Sequence, residues 1–260
     1  MEMRPTGGGP FMAADGPRIL SFSLTLRIPA WAVLPTMASY RDMYAALQSQ
    51  LDLNRLDTPG TPPACVMAKG NALQIRIQPD QGLFQCVRNL EAVDGGDKPH
   101  AVEDMTQEFL VALSEARKHL RPVLFVSPAV QLRALWDISD GDANAFLHSR
   151  LGVGVKPQSL DGNGWLLGLH AIRQTPPQPG GIDLSAADLR VEPFVRAPSS
   201  VWIESTFQYP AVAIPGIGVS VHGSSGETVH SDDVSKVFEC SEKARELLIR
   251  VPAFLGQEGA

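Results

Sequence analysis

His222, His230, Asp232 and Asp233 are close in sequence, and they are the side chains whose types best suit chemistry. Two imidazoles and a carboxylate form a donor set that can hold a divalent ion. His222, His230 and Asp232 are therefore the candidate metal ligands. The chemistry they would support is metal-dependent hydrolysis, of a nuclease-like kind among others. Their spacing matches neither HxxxH nor HxH, so no fixed coordination geometry is implied. The acidic pair also has an ordinary role, since aspartate near a helix start is favoured without any metal.

The stretch GIGVSVHGSSG (216–226) places Ser220, Ser224 and Ser225 beside His222. A hydrolase nucleophile elbow needs G-x-S-x-G between a strand and a helix, and this stretch does not match it. Gly216-Ile217-Gly218 and Gly152-Val153-Gly154 are lone GxG units that extend to neither phosphate-binding pattern. Gly152 reads as a helix C-cap. His170, inside WLLGLHAI (165–172), reads as a hydrogen-bonded core or sheet residue. Glu103/Asp104 and Asp232/Asp233 are neighbours, and on a helix neighbours diverge by about 100°, so neither pair is an acid–base dyad. Cys65, Cys86 and Cys240 fit no metal-binding spacing and sit in mostly apolar runs. Buried reduced thiols in a cytoplasmic protein follow from that.

Composition narrows the partners. The formal charge is −6 and the pI about 5.5, which leaves no basic surplus to neutralise phosphates. Nucleic acid is not an expected partner, and no RNP-like aromatic run occurs. No run of about 18 apolar residues occurs, so no membrane span is expected. No cofactor is implied. Residues 1–17 read as a flexible leader. The 23 glycines and 21 prolines favour a turn-rich β architecture over a helical bundle.

Such residues need elements to position them. Leu20, Phe22, Leu24, Leu26 and Ile28 alternate with polar residues, which predicts a strand with one wet face. Met37, Tyr40, Tyr44, Leu47 and Leu51 form a helix stripe, with Thr36 or Ser39 as its cap. DTPGTPP (57–63) breaks it. A short strand at 65–68 precedes a hairpin, 73–78 and 83–87, turning at Pro79-Asp80-Gln81-Gly82. Met105, Phe109, Leu113, Ala116 and Leu120 predict a second helix, stopped by Pro122. A strand at 130–138 and a helix at 143–151, capped by Asp140 or Asp142, follow. Strands are then expected at 165–172, 189–195 and 201–209, with a connection at 174–181. Residues 215–226 read as a loop or an irregular strand. The final helix is expected at 232–251, capped by Ser231 or Asp232.

The order β-α-β-β-α-β over the first half is the ferredoxin-like arrangement. The expected fold is α+β, with mixed or antiparallel sheets and helices on one face. It divides into two related lobes, 18–152 and 165–255, joined by VGVKPQSLDGNG (153–164).

In order along the chain, the early strand and helix, NALQIRIQPDQGLFQCVRN (71–89), AVEDMTQEFLVALSEARKHLRP (101–122), VQLRALWDI (130–138) and TVHSDDVSKVFECSEKARELL (228–248) resemble an uncharacterised, sporadically distributed bacterial family of similar length. That resemblance implies the architecture and no catalytic residue, because the family has no established activity. The function expected is a non-enzymatic binding or scaffolding protein, an accessory component of a bacterial multi-protein system. It would work with a protein partner or as a homo-oligomer. The competing readings are an enzyme built on His222, His230 and Asp232, and an RNA-binding protein like the CRISPR-associated ones.

Overall fold

The computed structural model describes residues 17–60, 64–90, 102–138, 141–151, 168–175, 185–210, 212–215 and 235–256. The first alternation forms β1 (Arg18–Arg27), with Leu20, Phe22, Leu24 and Leu26 buried on one side. The polar side is less wet than expected. Ser23 at its centre is only 9% exposed, because Val87 and Gln131 flank it on the neighbouring strands.

Helix α1 (Met37–Leu51) uses both expected cap residues in one capping box. The Thr36 hydroxyl accepts from the Ser39 amide, and the Ser39 hydroxyl accepts from the Thr36 amide. Its core side is Tyr40, Met43, Leu47 and Leu51, while Met37 stays exposed. The stretch expected to be irregular opens with a short strand, β2 (Arg55–Asp57). Then come β3 (Cys65–Lys69), β4 (Leu73–Gln78) and β5 (Leu83–Asn89). A single 3-10 turn, Pro79–Gln81, joins the last two and ends at Gly82 with φ +56°. A Cβ on Gly82 would lie 2.6 Å from the Ile28 carbonyl oxygen, so this position requires glycine on two counts. Helix α2 (Val102–Leu120) follows, with Arg117, Lys118 and His119 in its last turn.

β6 (Leu124–Asp137) is 14 residues long and starts well before the alternation that signalled it. Pro128 lies inside it, where a central strand normally excludes proline. It is tolerated because β6 changes partner there. Residues 124–126 pair with β10 (Ala213–Pro215), and 129–137 pair with β9 (Ser200–Gln208). Ser127, at φ 55°, bridges the gap: its amide donates to Val212 and its hydroxyl to Pro210. Neither β10 nor β2 was expected from the pattern.

Helix α3 (Ala143–Leu151) begins at Asp142, whose carboxylate accepts from the Asn144 amide at 2.9 Å. Of the two aspartates considered as its cap, Asp140 lies outside the described residues, as does Gly152. β7 (Leu169–Thr175) and β8 (Ser185–Pro193) differ from the expected bounds. β7 runs through residues 174 and 175, assigned to a connection, and β8 starts four residues early. Helix α4 (Ser235–Gly256) continues five residues past its expected end, through Pro252, because Val251 and Leu255 are buried. Its expected caps, Ser231 and Asp232, lie outside the described residues.

The strands form one antiparallel sheet in the order β2-β3-β4-β5-β1-β6-β9-β8-β7, with β10 added on β6. Helices α1, α2, α4 and α3 touch in that order as a layer on one face. The architecture is thus α+β. Phe22 stacks on Phe109 at 5.0 Å, and Trp136 meets Phe146 edge-on. The Ser205 hydroxyl donates to the Ala244 carbonyl at 2.7 Å, tying β9 to α4. The Thr106 and Ser241 hydroxyls, 3.1 Å apart, join α2 to α4. The linker 153–164 and residues 1–16 of the leader lie outside the described residues. Among the described residues no helix is long and apolar enough to cross a membrane.

Candidate functional site

The helix layer thins toward β7. α1 has 15 residues, whereas α3, which follows β6, has nine. A cleft of about 500 Å³ opens there between α4 and the ends of β7, β8 and β9. Ser205 faces α4, so register assigns Leu189 and Ala171 to the same side, followed by Arg173, Ala187 and Phe207 one step along. Ala187, Leu189 and Phe207 make an apolar floor. Lys243, Glu246, Leu247 and Arg250 of α4 form the opposite wall.

Three cations and one carboxylate border this cleft. Lys243 pairs with Glu246 at 3.2 Å. Arg173 and Arg250 have no carboxylate partner among the described residues. At the cleft's end Tyr209 donates its hydroxyl to Glu239, and the Lys236 ammonium sits 4.7 Å from the Tyr209 ring centroid. Burial works to raise the Glu239 carboxyl, but hydrogen bonds from Lys236 and Tyr209, together with the charges of Lys236 and Lys243, outweigh it and hold it below the ordinary range.

Four consecutive residues of β7, His170 to Arg173, are exposed. A strand covered on one face would bury every second one. His170 does lie in a sheet and is hydrogen-bonded, as expected of it. Its Nε2 lies 3.1 Å from the Asp188 carboxylate on β8, but on a solvent-facing side rather than in the core. The same side carries Arg190 near Asp188 at 3.8 Å, and Arg133 bonded to Glu204 at 2.8 Å. Charges on this face are largely matched across strands, as a wetted surface requires.

His222, His230 and Asp232 lie outside the described residues, as do Asp233, the three serines of 216–226 and both GxG units. Among the described residues no group of three or more His, Cys, Asp or Glu side chains is arranged to hold a metal. Asp104 is exposed. Cys65, Cys86 and Cys240 are free and buried. Burial pushes the Cys65 thiol up to about 12, assisted by Asp57. It does the same for Cys240, to about 12, with Glu239 adding to it. Cys86 is pushed up further by burial and by Glu108. Those shifts are opposite to what a nucleophilic thiolate needs.

Sequence reasoning did not single out Arg173, Tyr209, Lys243 or Arg250. The one local signal was the 3.6-period spacing of Lys243, Leu247, Arg250 and Phe254, which aligns them along one side of α4. Phe254 is 58% exposed, an unusual place for a large apolar ring on a packed helix. No family model, no curated protein and no solved structure matches this chain.

Proposed function

We propose that the chain is a non-enzymatic binding or scaffolding protein, an accessory component of a bacterial multi-protein assembly. The observation that carries this reading is the exposed strand β7 at the end of a wide sheet, beside an apolar-floored cleft. Surfaces of this kind are where partners attach, and proteins without such a use normally blunt or cover them. The elevated cysteine thiols add support, because the buried nucleophiles are tuned to inertness.

We also read the chain as two related lobes, the first ferredoxin-like. Strand order supports this. Outward from the β1–β6 pair it runs β5, β4, β3 on one side and β9, β8, β7 on the other. Each half proceeds strand, helix, strands, helix. β6, which opens the second half, also completes the first: β4, β5, β1 and β6 are adjacent and antiparallel, with α1 and α2 as the two helical crossovers of a βαββαβ unit.

The test is purification of the full chain from the cells that make it, with chemical cross-linking and identification of co-eluting proteins. A stoichiometric protein partner is the expected result. A chain that elutes alone, retains a divalent metal and cleaves ester or phosphodiester substrates would replace this reading with the hydrolase one.

A further inference from the structure

Two independent features meet at β7. The first is the strand itself: seven residues at the end of the sheet order, with His170, Ala171, Ile172 and Arg173 all exposed. The second is the cleft that adjoins it, with Ala187, Leu189 and Phe207 beneath and Arg173 and Arg250 at its border. We propose that β7 is a strand-addition site for a partner protein, whose extended segment presents alternating apolar and acidic side chains to the cleft. This rests on the binding reading above and names the partner's chemistry.

The mode follows from geometry. β7 has no outer neighbour strand among the described residues, and an extended segment beside such an edge gains backbone hydrogen bonds irrespective of sequence, while the pockets beneath alternate residues supply selectivity. Side chains of an added strand that share the face of Ala171 and Arg173 meet the cleft, and those between them face solvent. The floor accepts apolar groups. The guanidinium groups of Arg173 and Arg250, without carboxylate partners among the described residues, call for carboxylates. Phe254, one turn beyond Arg250 on α4, is an exposed ring on the same side of the helix.

Charge also decides against a second copy as the occupant. Antiparallel self-pairing centred on Ile172 would set each Arg173 opposite an Ala171 on the same face. Both Arg173 side chains and both Arg250 borders would then crowd together with no added carboxylate besides Glu246. Like charges that close on a shared face repel. An acidic partner segment has no such conflict.

The experiment is selection of a displayed random dodecapeptide library against the full chain, repeated against the double variant Arg173→Glu, Arg250→Glu. Both positions are exposed, and a matching circular dichroism spectrum and melting temperature verify that the variant folds. The expected enrichment is apolar and acidic residues two positions apart, so that both kinds lie on the side that meets the cleft, with at least tenfold weaker binding to the variant. The best peptide is then N-methylated on every second amide in the two possible sets. One set should weaken binding at least tenfold and the other should not, because alternate amides of a strand point to opposite edges. Peptides with helical spacing, or peptides that bind the variant equally, overturn the site and leave a binding surface elsewhere. No enrichment on either protein overturns both this proposal and the binding reading.

Discussion

Gly82→Ala and Gly70→Ala share one cost and differ in another. Both glycines have left-handed backbones, φ +56° and φ +52°. Alanine there costs about 1–2 kcal/mol of strain, partly offset by about 0.4–1 kcal/mol from a less flexible unfolded chain. At Gly70 nothing lies within 4 Å of the added Cβ, and the hydrogen bond that its amide donates to the Asn54 side chain is untouched. That variant should lose about 0.5–1 kcal/mol. At Gly82 the new carbon would sit 2.6 Å from the Ile28 oxygen, and that backbone is already tied by the Ile28 amide donating to Gly82 at 2.7 Å. Relieving the overlap stretches this bond and the β1–β5 pairing next to it, adding about 1–2 kcal/mol. Urea unfolding followed by tryptophan fluorescence should rank wild type, Gly70→Ala and Gly82→Ala in that order. Equal midpoints for the two variants would show that close approach is not what holds the β4–β5 turn against the end of β1.

Phe109→Ala removes the ring stacked on Phe22 at full burial, and the same denaturation assay should show a loss of about 3–5 kcal/mol. Ellman's reagent near pH 8 should titrate no thiol rapidly in the native chain and all three after denaturation; a fast native thiol would contradict their burial. Because Cys65 and Cys240 are raised from 9.0 to about 12, the folded chain holds protons that the unfolded chain releases in that range. Their contribution is intact below pH 9.0 and disappears as pH climbs toward about 12, so melting temperature should fall across that window. Tyr209→Phe removes a donor to the Glu239 carboxylate, which should cost about 1 kcal/mol and move that carboxyl upward in an NMR titration.

The strongly periodic segments were legible in the sequence: β1, α1, the β4–β5 hairpin and α2 all form where spacing put them. The Thr36–Ser39 cap was legible for the same reason, since capping is local. β2 and β10 were not, because three residues carry no period and each depends on a distant strand to be a strand at all. The early start of β6 was hidden by Pro128, whose presence is acceptable only because two different partners meet there. α4 runs past its expected end and through Pro252 because Leu255 is buried, and that burial lies in tertiary structure. The cleft is the extreme case. Arg173 and Arg250 are 77 positions apart, and nothing local to either points to the other.

The position of β6 also shapes how the molecule is assembled. β1 to β5 can pair among themselves from residues 18 to 89, so half the sheet can form while the remainder is still being synthesised. β9 has no inner neighbour until β6 is in place, and α4, which seals that side, comes last. β6 is therefore a template on which the second half is built, and an open β1 edge waits for it. Slow steps and off-pathway association should concentrate in that interval, when a nascent chain displays Phe22, Leu24 and Leu26 without their final cover.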